Sequence, residues 1–219
     1  MSAAPHEDAA HHMDGIYRYQ RYIYDLSRKY FLFGRDTMLD GLKPPPSASV
    51  LEVGCGTGRN LILAARRYPD AYFYGFDISR MMLETAEANI ARAGFDKRIK
   101  VAEGDATNFS AQELFGVPAF DRIFISYALS MIPPWKQVLP QAIDALKSGG
   151  SLHIVDFSEQ SGLPGWFRSV LRAWLKKFSV EPRAELEAEL RRVAGEKGCT
   201  VRFEQLFGDY AHLAVVTKR

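Results

Sequence analysis

The sequence predicts an α/β fold: a seven-stranded, mostly parallel sheet with an antiparallel last strand, helices on both faces and an N-terminal helical cap. Three observations predict it. From about residue 48 onward, short apolar runs alternate with segments of helical periodicity, the pattern of repeated strand–helix units and so of a parallel sheet. Two strand-like runs, 200–206 and 211–217, follow one another with only a short loop between them, which forces an antiparallel pair. A glycine-rich loop links the first strand to the helix after it, where backbone can approach a ligand closely. The 219 residues suit a single domain.

Residues 1–12, with His6, His11 and His12, read as a flexible polar N-terminus that lacks a regularly spaced ligand set for a metal. Ile16, Tyr19, Ile23, Leu26 and Tyr30 recur at three- to four-residue steps, so 13–33 reads as a helix. It is the body of a cap over 13–43, and Lys43-Pro44-Pro45-Pro46 ends regular structure. The domain proper then spans 44–219. Strands are expected at 50–53, 71–76, 99–101, 122–127 and 151–157, the last after a Ser148-Gly149-Gly150 turn. Helices are expected from the glycine loop through Arg67, and at 79–92, 135–146, 164–178 and 182–197. The segment at about 160–183 is an amphipathic helical insertion.

With 47% hydrophobic and 25% charged residues the composition is that of a globular chain, which excludes collagen-like and wholly disordered classes. The longest stretch without Asp, Glu, Lys or Arg is Ile123 to Trp135, 13 residues, short of the roughly 20 a membrane-spanning helix needs. No basic and apolar leader pattern is visible, so no secretory signal is expected. Cys55 and Cys199 offer neither a disulfide framework nor metal spacing, which suits a reducing cytoplasm. A net charge of +2 gives no sign of a nucleic-acid partner.

Glu52-Val53-Gly54-Cys55-Gly56-Thr57-Gly58 carries the chemistry. The dinucleotide fingerprint G-x-G-x-x-G would need glycine where Arg59 stands. The spacing present is G-x-G-x-G with an acid two residues ahead. Asp77 ends the second strand, where a carboxylate can accept from ribose hydroxyls. Asp105 ends the third. This ordered set resembles the Rossmann-like class I S-adenosylmethionine-dependent methyltransferases, strongly over about 48–157. The resemblance implies S-adenosylmethionine as cofactor, with Glu52, Gly54, Gly56 and Gly58 around its methionine part. It further implies Asp77 on the ribose, Ile78 and Met82 near the adenine, Asp105 and Ala106 at the adenine edge, and Ser126 lining both cofactor and acceptor.

Methyl transfer from a sulfonium demands positioning and dryness more than acid–base chemistry. The Asn-Pro-Pro-aromatic motif used on planar nitrogens is replaced by Ser126-Tyr127-Ala128-Leu129-Ser130, which argues against DNA adenine or protein glutamine as acceptors. Five of the ten tyrosines, Tyr17, Tyr19, Tyr22, Tyr24 and Tyr30, crowd the N-terminal helix, and aromatic faces attract methylated ammonium groups. From Trp166 to Phe178, apolar residues at 166, 167, 170, 171, 174, 175 and 178 form a helical stripe beside Arg168, Arg172, Lys176 and Lys177, with no acid. That is the pattern of an interfacial helix, although a stripe packed on the core has the same apolar spacing.

The segment 13–36 and the region through Arg183 look like one branch, the N-methyltransferases that convert diacylglyceryl-homoserine to its trimethylated betaine lipid. That resemblance implies trimethylation of a lipid amine at the inner face of a membrane, contacted through Trp166–Phe178. It also implies an upstream 3-amino-3-carboxypropyl transferase. Tyr24, Arg28 and Arg35 would face the methionine end or the acceptor carboxylate. Tyr17, Tyr24, Ser126 and Tyr210 are the catalytic candidates, and Tyr210 and His212 flank the last strand where they would close or merely cap the pocket. A phosphatidylethanolamine N-methyltransferase, a quinone-type O- or C-methyltransferase and a non-catalytic module are the competing readings.

Overall fold

The structure, a computed structural model, describes residues 32–177 and 180–219. The elements are α1 (Arg35–Gly41), β1 (Ser49–Val53), α2 (Arg59–Arg67), β2 (Tyr72–Asp77), α3 (Arg80–Ala93), β3 (Ile99–Glu103), α4 (Ala111–Phe115) and β4 (Phe120–Ser126). After a 3-10 turn at Leu129–Met131 come α5 (Trp135–Asp144), β5 (Leu146–Phe157), α6 (Gly165–Lys177), α7 (Leu186–Glu196), β6 (Thr200–Leu206) and β7 (Ala211–Thr217). The seven strands form one sheet in the order β3-β2-β1-β4-β5-β7-β6. β7 alone runs against its neighbours, pairing antiparallel with β5 and β6, as the fold expectation required.

Side chains alternate across each strand, and the sheet therefore buries two apolar faces. Val50, Phe73, Phe124, Val155 and Leu213 face a front layer of α1, α2, α3 and α6. Leu51, Val53, Ile123, Ile125 and Ile154 face a back layer of α4, α5 and α7. Each fully buried aliphatic or aromatic side chain contributes roughly 1.5–3 kcal/mol.

Several boundaries differ from the expected ones. α4 was not foreseen: its five residues, capped by the Ser110 hydroxyl accepting from Glu113 N at 3.3 Å, are too few to display a period. β5 begins at Leu146 and runs through the expected turn, because its pairing with β4 shifts register between Phe120 and Arg122. A bulge there needs Gly150, where a Cβ would fall 2.9–3.1 Å from carbonyl oxygens of Lys147, Asp121 and Phe120. α7 starts at Leu186 rather than 182. The expected helix at 13–33 lies outside the described residues apart from its last two, which precede α1; the histidine tract lies outside altogether. Among the described residues, no helix is long and apolar enough to cross a membrane.

Candidate active site

The chain leaves β1 toward β2 and β3, then returns to β4 on the other side of β1. The crevice at the carboxyl ends of β1 and β4 is thus the switch point where open α/β sheets bind ligands. The edge divides into two halves about this crevice.

Over β1, β2 and β3 the site is built from backbone. Gly54, Gly56 and Gly58 all have φ between +52 and +73°, the left-handed region that other residues avoid. A Cβ on Gly54 would stand 2.9 Å from the Ala128 Cβ, so the loop passes directly under the turn that follows β4. Gly54 N and Cys55 N both donate to Phe76 O, at 3.0 and 2.9 Å. Asp77 closes the cradle: Oδ2 accepts from Gly56 N at 2.8 Å and Oδ1 from Ser79 N at 3.0 Å. Glu52 is buried and accepts from Asn60 Nδ2 at 2.7 Å. Met82 is buried in the first turn of α3 and Ile78 is half-buried beside Asp77. Asp105 Oδ1 is taken by Thr107 N and Oγ1, at 2.8 and 2.7 Å, which folds the turn that presents Ala106. Burial, followed by the charges of Asp77 and Glu52, pushes the Cys55 thiol well up, so it stays protonated.

Sequence reasoning missed Gly75. A Cβ there would meet Leu61 Cδ1 at 2.6 Å and Cys55 Cβ at 2.8 Å, so this glycine lets the loop and α2 settle on β2. Only its place as a glycine within a strand pattern hinted at it.

Over β4, β5 and β7 the site is built from side chains of distant segments. Ser126 ends β4, fully buried, and its hydroxyl has no hydrogen-bond partner. Tyr127, not singled out from the sequence, adopts φ +54° and turns its ring onto Phe157, 4.6 Å between centroids. Its hydroxyl donates to Phe33 O. Phe33 and Tyr210 pack edge to face at 5.1 Å, and Tyr210 lies 5.8 Å from Phe157. Burial raises the phenol pKa of Tyr127, helped by Tyr210 and Asp156 and opposed by Arg35, and burial likewise raises that of Tyr210. Both stay neutral. Arg35, at the start of α1, is buried; its Nη2 lies 3.5 Å from Asp36 Oδ2 and its Nε makes no hydrogen bond.

Two polar knots hold these walls. Asp209 accepts from the Ser158 hydroxyl and, at 3.0 and 2.6 Å, from Ser161 N and Oγ, tying the root of α6 to the β6–β7 turn. Arg183 donates to Leu129 O, Ser130 O and Ile132 O at 3.1–3.3 Å, while Asp156 Oδ2 accepts from Ser130 N at 3.0 Å. His212 stands apart from the aromatic wall: its ring packs on Phe203 and meets the Ser158 hydroxyl through Nε2. Tyr17, Tyr24 and Arg28 lie outside the described residues.

A family model described as a methyltransferase domain matches residues 46–198. The chain belongs to that family. Its domain is of the S-adenosylmethionine-dependent, class I kind, and the glycine cradle closed by Asp77 fits that cofactor: a Cβ on Gly54 would fill the space under Ala128. Among curated relatives, an uncharacterized protein of Rickettsia prowazekii is 29% identical over 150 residues, 68% of this chain and 26% of its own length. A demethylmenaquinone methyltransferase of Listeria monocytogenes is 27% identical over 159 residues, 72% of this chain and 64% of its own length. The chain thus spans less than two thirds of these relatives. Among solved structures, an O-methyltransferase family 2 protein of Planctomyces limnophilus in complex with apigenin superposes with TM-score 0.68 at 23% identity, covering 90% of this chain and 61% of that one. Phosphoethanolamine N-methyltransferase 2 of Haemonchus contortus, in complex with S-adenosylmethionine, gives 0.65 at 15%, covering 84% and 52%. At such identities these likenesses speak to fold.

Proposed function

We propose that the protein N-methylates the amine of a membrane-lipid headgroup, converting diacylglyceryl-homoserine to the trimethylated betaine lipid at the inner face of the membrane. The observation that carries this reading is Arg35. A buried guanidinium with an unused Nε–H, near enough to Tyr127 to oppose the rise of its phenol pKa, suits a carboxylate, that of the cofactor's methionine part or that of an acceptor, since a buried donor left unmade costs about 1–3 kcal/mol. The homoserine headgroup has a carboxylate beside its amine. An upstream 3-amino-3-carboxypropyl transfer would supply that acceptor.

When bound, S-adenosylmethionine supplies an electrophilic methyl group on its sulfonium. Gly54, Gly56 and Gly58 would hold its methionine part, Asp77 its ribose hydroxyls, and Ile78, Met82, Asp105 and Ala106 its adenine. Tyr127, Phe157 and Tyr210, all buried, form a dry wall, with the exposed Phe33 at its outer edge, that favours the neutral, nucleophilic amine over its ammonium. The Ser126 hydroxyl, without a partner at the end of β4, can accept from the N–H of the unmethylated or monomethylated amine and aim its lone pair. The ammonium left by the first and second transfers loses its proton to water before the next one, whereas the trimethylated product has no proton to lose and meets the aromatic faces as a fixed cation. Tyr24, Tyr17 and Arg28 complete the site in this reading.

Methylation of a quinone-type ring is the second reading, favoured by the likeness to the Listeria demethylmenaquinone methyltransferase. The test is incubation with methyl-labelled S-adenosylmethionine and, separately, diacylglyceryl-homoserine, phosphatidylethanolamine and demethylmenaquinone. Label in the first acceptor is the expected result, reduced at least tenfold in Arg35→Met. Label confined to either of the others overturns the proposal.

A further inference from the structure

Five large apolar side chains of the described residues stand well out into solvent, and four of them lie on segments around the mouth of the acceptor half. These are Trp166 at 72%, Val170 at 65%, Phe207 at 55% and Phe33 at 48% exposure. Phe33 and Phe207 are ring neighbours at 5.9 Å. Trp166 and Val170 are one helical turn apart on α6, on an edge adjoining the face that buries Leu171 and Leu175. The two groups are joined at the root of α6, where Gly162 passes Gly208 so closely that a Cβ would fall 2.8 Å from the Gly208 carbonyl oxygen. The fifth, Tyr72, opens β2 at the opposite edge of the sheet. Exposed apolar groups gathered on one rim mark an interaction surface, whereas scattered ones do not.

Charge names the partner. α6 carries Arg168, Arg172, Lys176 and Lys177 and no acid. α2, in the same front layer, adds Arg59 and Arg66, its Arg67 being paired with Asp36 and Asp40 of α1, whereas on α7 in the back layer three glutamates outnumber Arg191 and Arg192, which pair with them. We propose that this rim docks the protein on an anionic bilayer: Trp166, Val170, Phe33 and Phe207 enter the headgroup layer, and Arg172, Lys176 and Lys177 meet lipid phosphates. The surface reaches beyond the helix that sequence periodicity picked out, to the two aromatic side chains beside Tyr210.

The docking helix is also fixed to the site. At its amino end the Asp209 knot binds Ser158 and Ser161 to the β6–β7 turn that carries Tyr210. Beyond its carboxyl end, Glu181 N donates to Ser130 O at 2.9 Å and Arg183 caps the turn after β4. A headgroup met by α6 therefore lies at a set position relative to Ser126, Tyr127 and Tyr210. The purpose of this surface rests on the lipid reading above, but its test needs no acceptor.

The full chain is mixed with phosphatidylcholine vesicles with and without phosphatidylglycerol, and binding is measured by co-sedimentation. Preferential binding to the anionic vesicles is expected. Trp166→Ser with Val170→Ser, and separately Lys176→Glu with Lys177→Glu, should each weaken it at least tenfold with unchanged melting temperature. Tyr72→Ser should bind as the wild type does. No anionic preference, or double variants that bind as tightly as the wild type, overturns the proposal. So does a change in self-association without a change in vesicle binding, which would make the rim a contact between copies of the chain. Vesicle binding as expected with label only in a quinone would sink the acceptor reading while leaving the docking surface standing.

Discussion

The two halves of the crevice solve the same problem with different materials. Over β1, β2 and β3, ligand-facing geometry is fixed by main chain: glycines at positive φ, amide donors to Phe76 O, and one carboxylate, Asp77, that gathers two N–H groups. All of it falls within about one strand–helix–strand unit. Over β4, β5 and β7 the wall is made of side chains from segments far apart in sequence, such as Tyr127 bonded to the Phe33 carbonyl across 94 positions. A backbone cradle tolerates few substitutions and serves one cofactor. A wall of packed side chains can be recut without disturbing the cradle.

Three experiments would break or sharpen that contrast. The largest effect belongs to Asp77→Ala, which orphans the buried Gly56 and Ser79 amides at about 1–3 kcal/mol each. Affinity for S-adenosylmethionine, read by titration calorimetry, should fall by roughly 100-fold or more. A loss below threefold would mean the cradle does not depend on its carboxylate.

A smaller effect is expected from acid, through the buried histidines of β5 and β7. Burial, with Arg122 and Arg202 nearby, lowers the His153 pKa to about 4, and burial lowers that of His212 as well. A histidine whose folded pKa lies below its ordinary value near 6.5 contributes stability fully above that value and loses it as pH falls toward the folded one. For His153 the loss reaches the order of 2 kcal/mol at pH 5. The wild-type melting temperature should therefore drop between pH 7.5 and 5, and His153→Gln should remove at least half of the drop. An undiminished drop would move the acid-sensitive group elsewhere.

The smallest effect is expected from Tyr127→Phe. Loss of one hydroxyl donor costs about 1 kcal/mol, or about 2–4 °C in melting temperature. Cofactor affinity should stay within twofold of wild type. If affinity falls more than stability does, the halves are one unit and the contrast fails.

Legibility in the sequence follows the same division. Gly54, Gly56, Gly58 and Asp77 could be read because their requirements are local: a tight turn, a helix start, a strand end. The sheet and its reversed last strand followed from period and loop length. Tyr127 could not be read, because its left-handed backbone and its partner on Phe33 are consequences of packing. Nor could Gly75, whose missing side chain is demanded by Leu61 and Cys55 crossing over it. The stripe on α6 was visible, but period alone does not say that Leu171 and Leu175 turn inward while Trp166 and Val170 stay outside. Tyr210 and His212 both flank the start of the last strand, yet Tyr210 packs on Phe33 and Phe157 while His212 packs on Phe203, a difference of sheet face that flanking alone does not reveal.

The strand order carries a consequence in time. β6 is synthesised before β7 yet has no neighbour in the sheet except β7, which lies between it and β5. As the chain emerges, the strands of the glycine cradle come first, and β6 waits as an unpaired edge. Only when residues 211–217 arrive do β5 and β6 join, bringing Tyr210 against Phe157. Every residue of the glycine cradle is thus already in the chain before the strand that completes the opposite wall has been made.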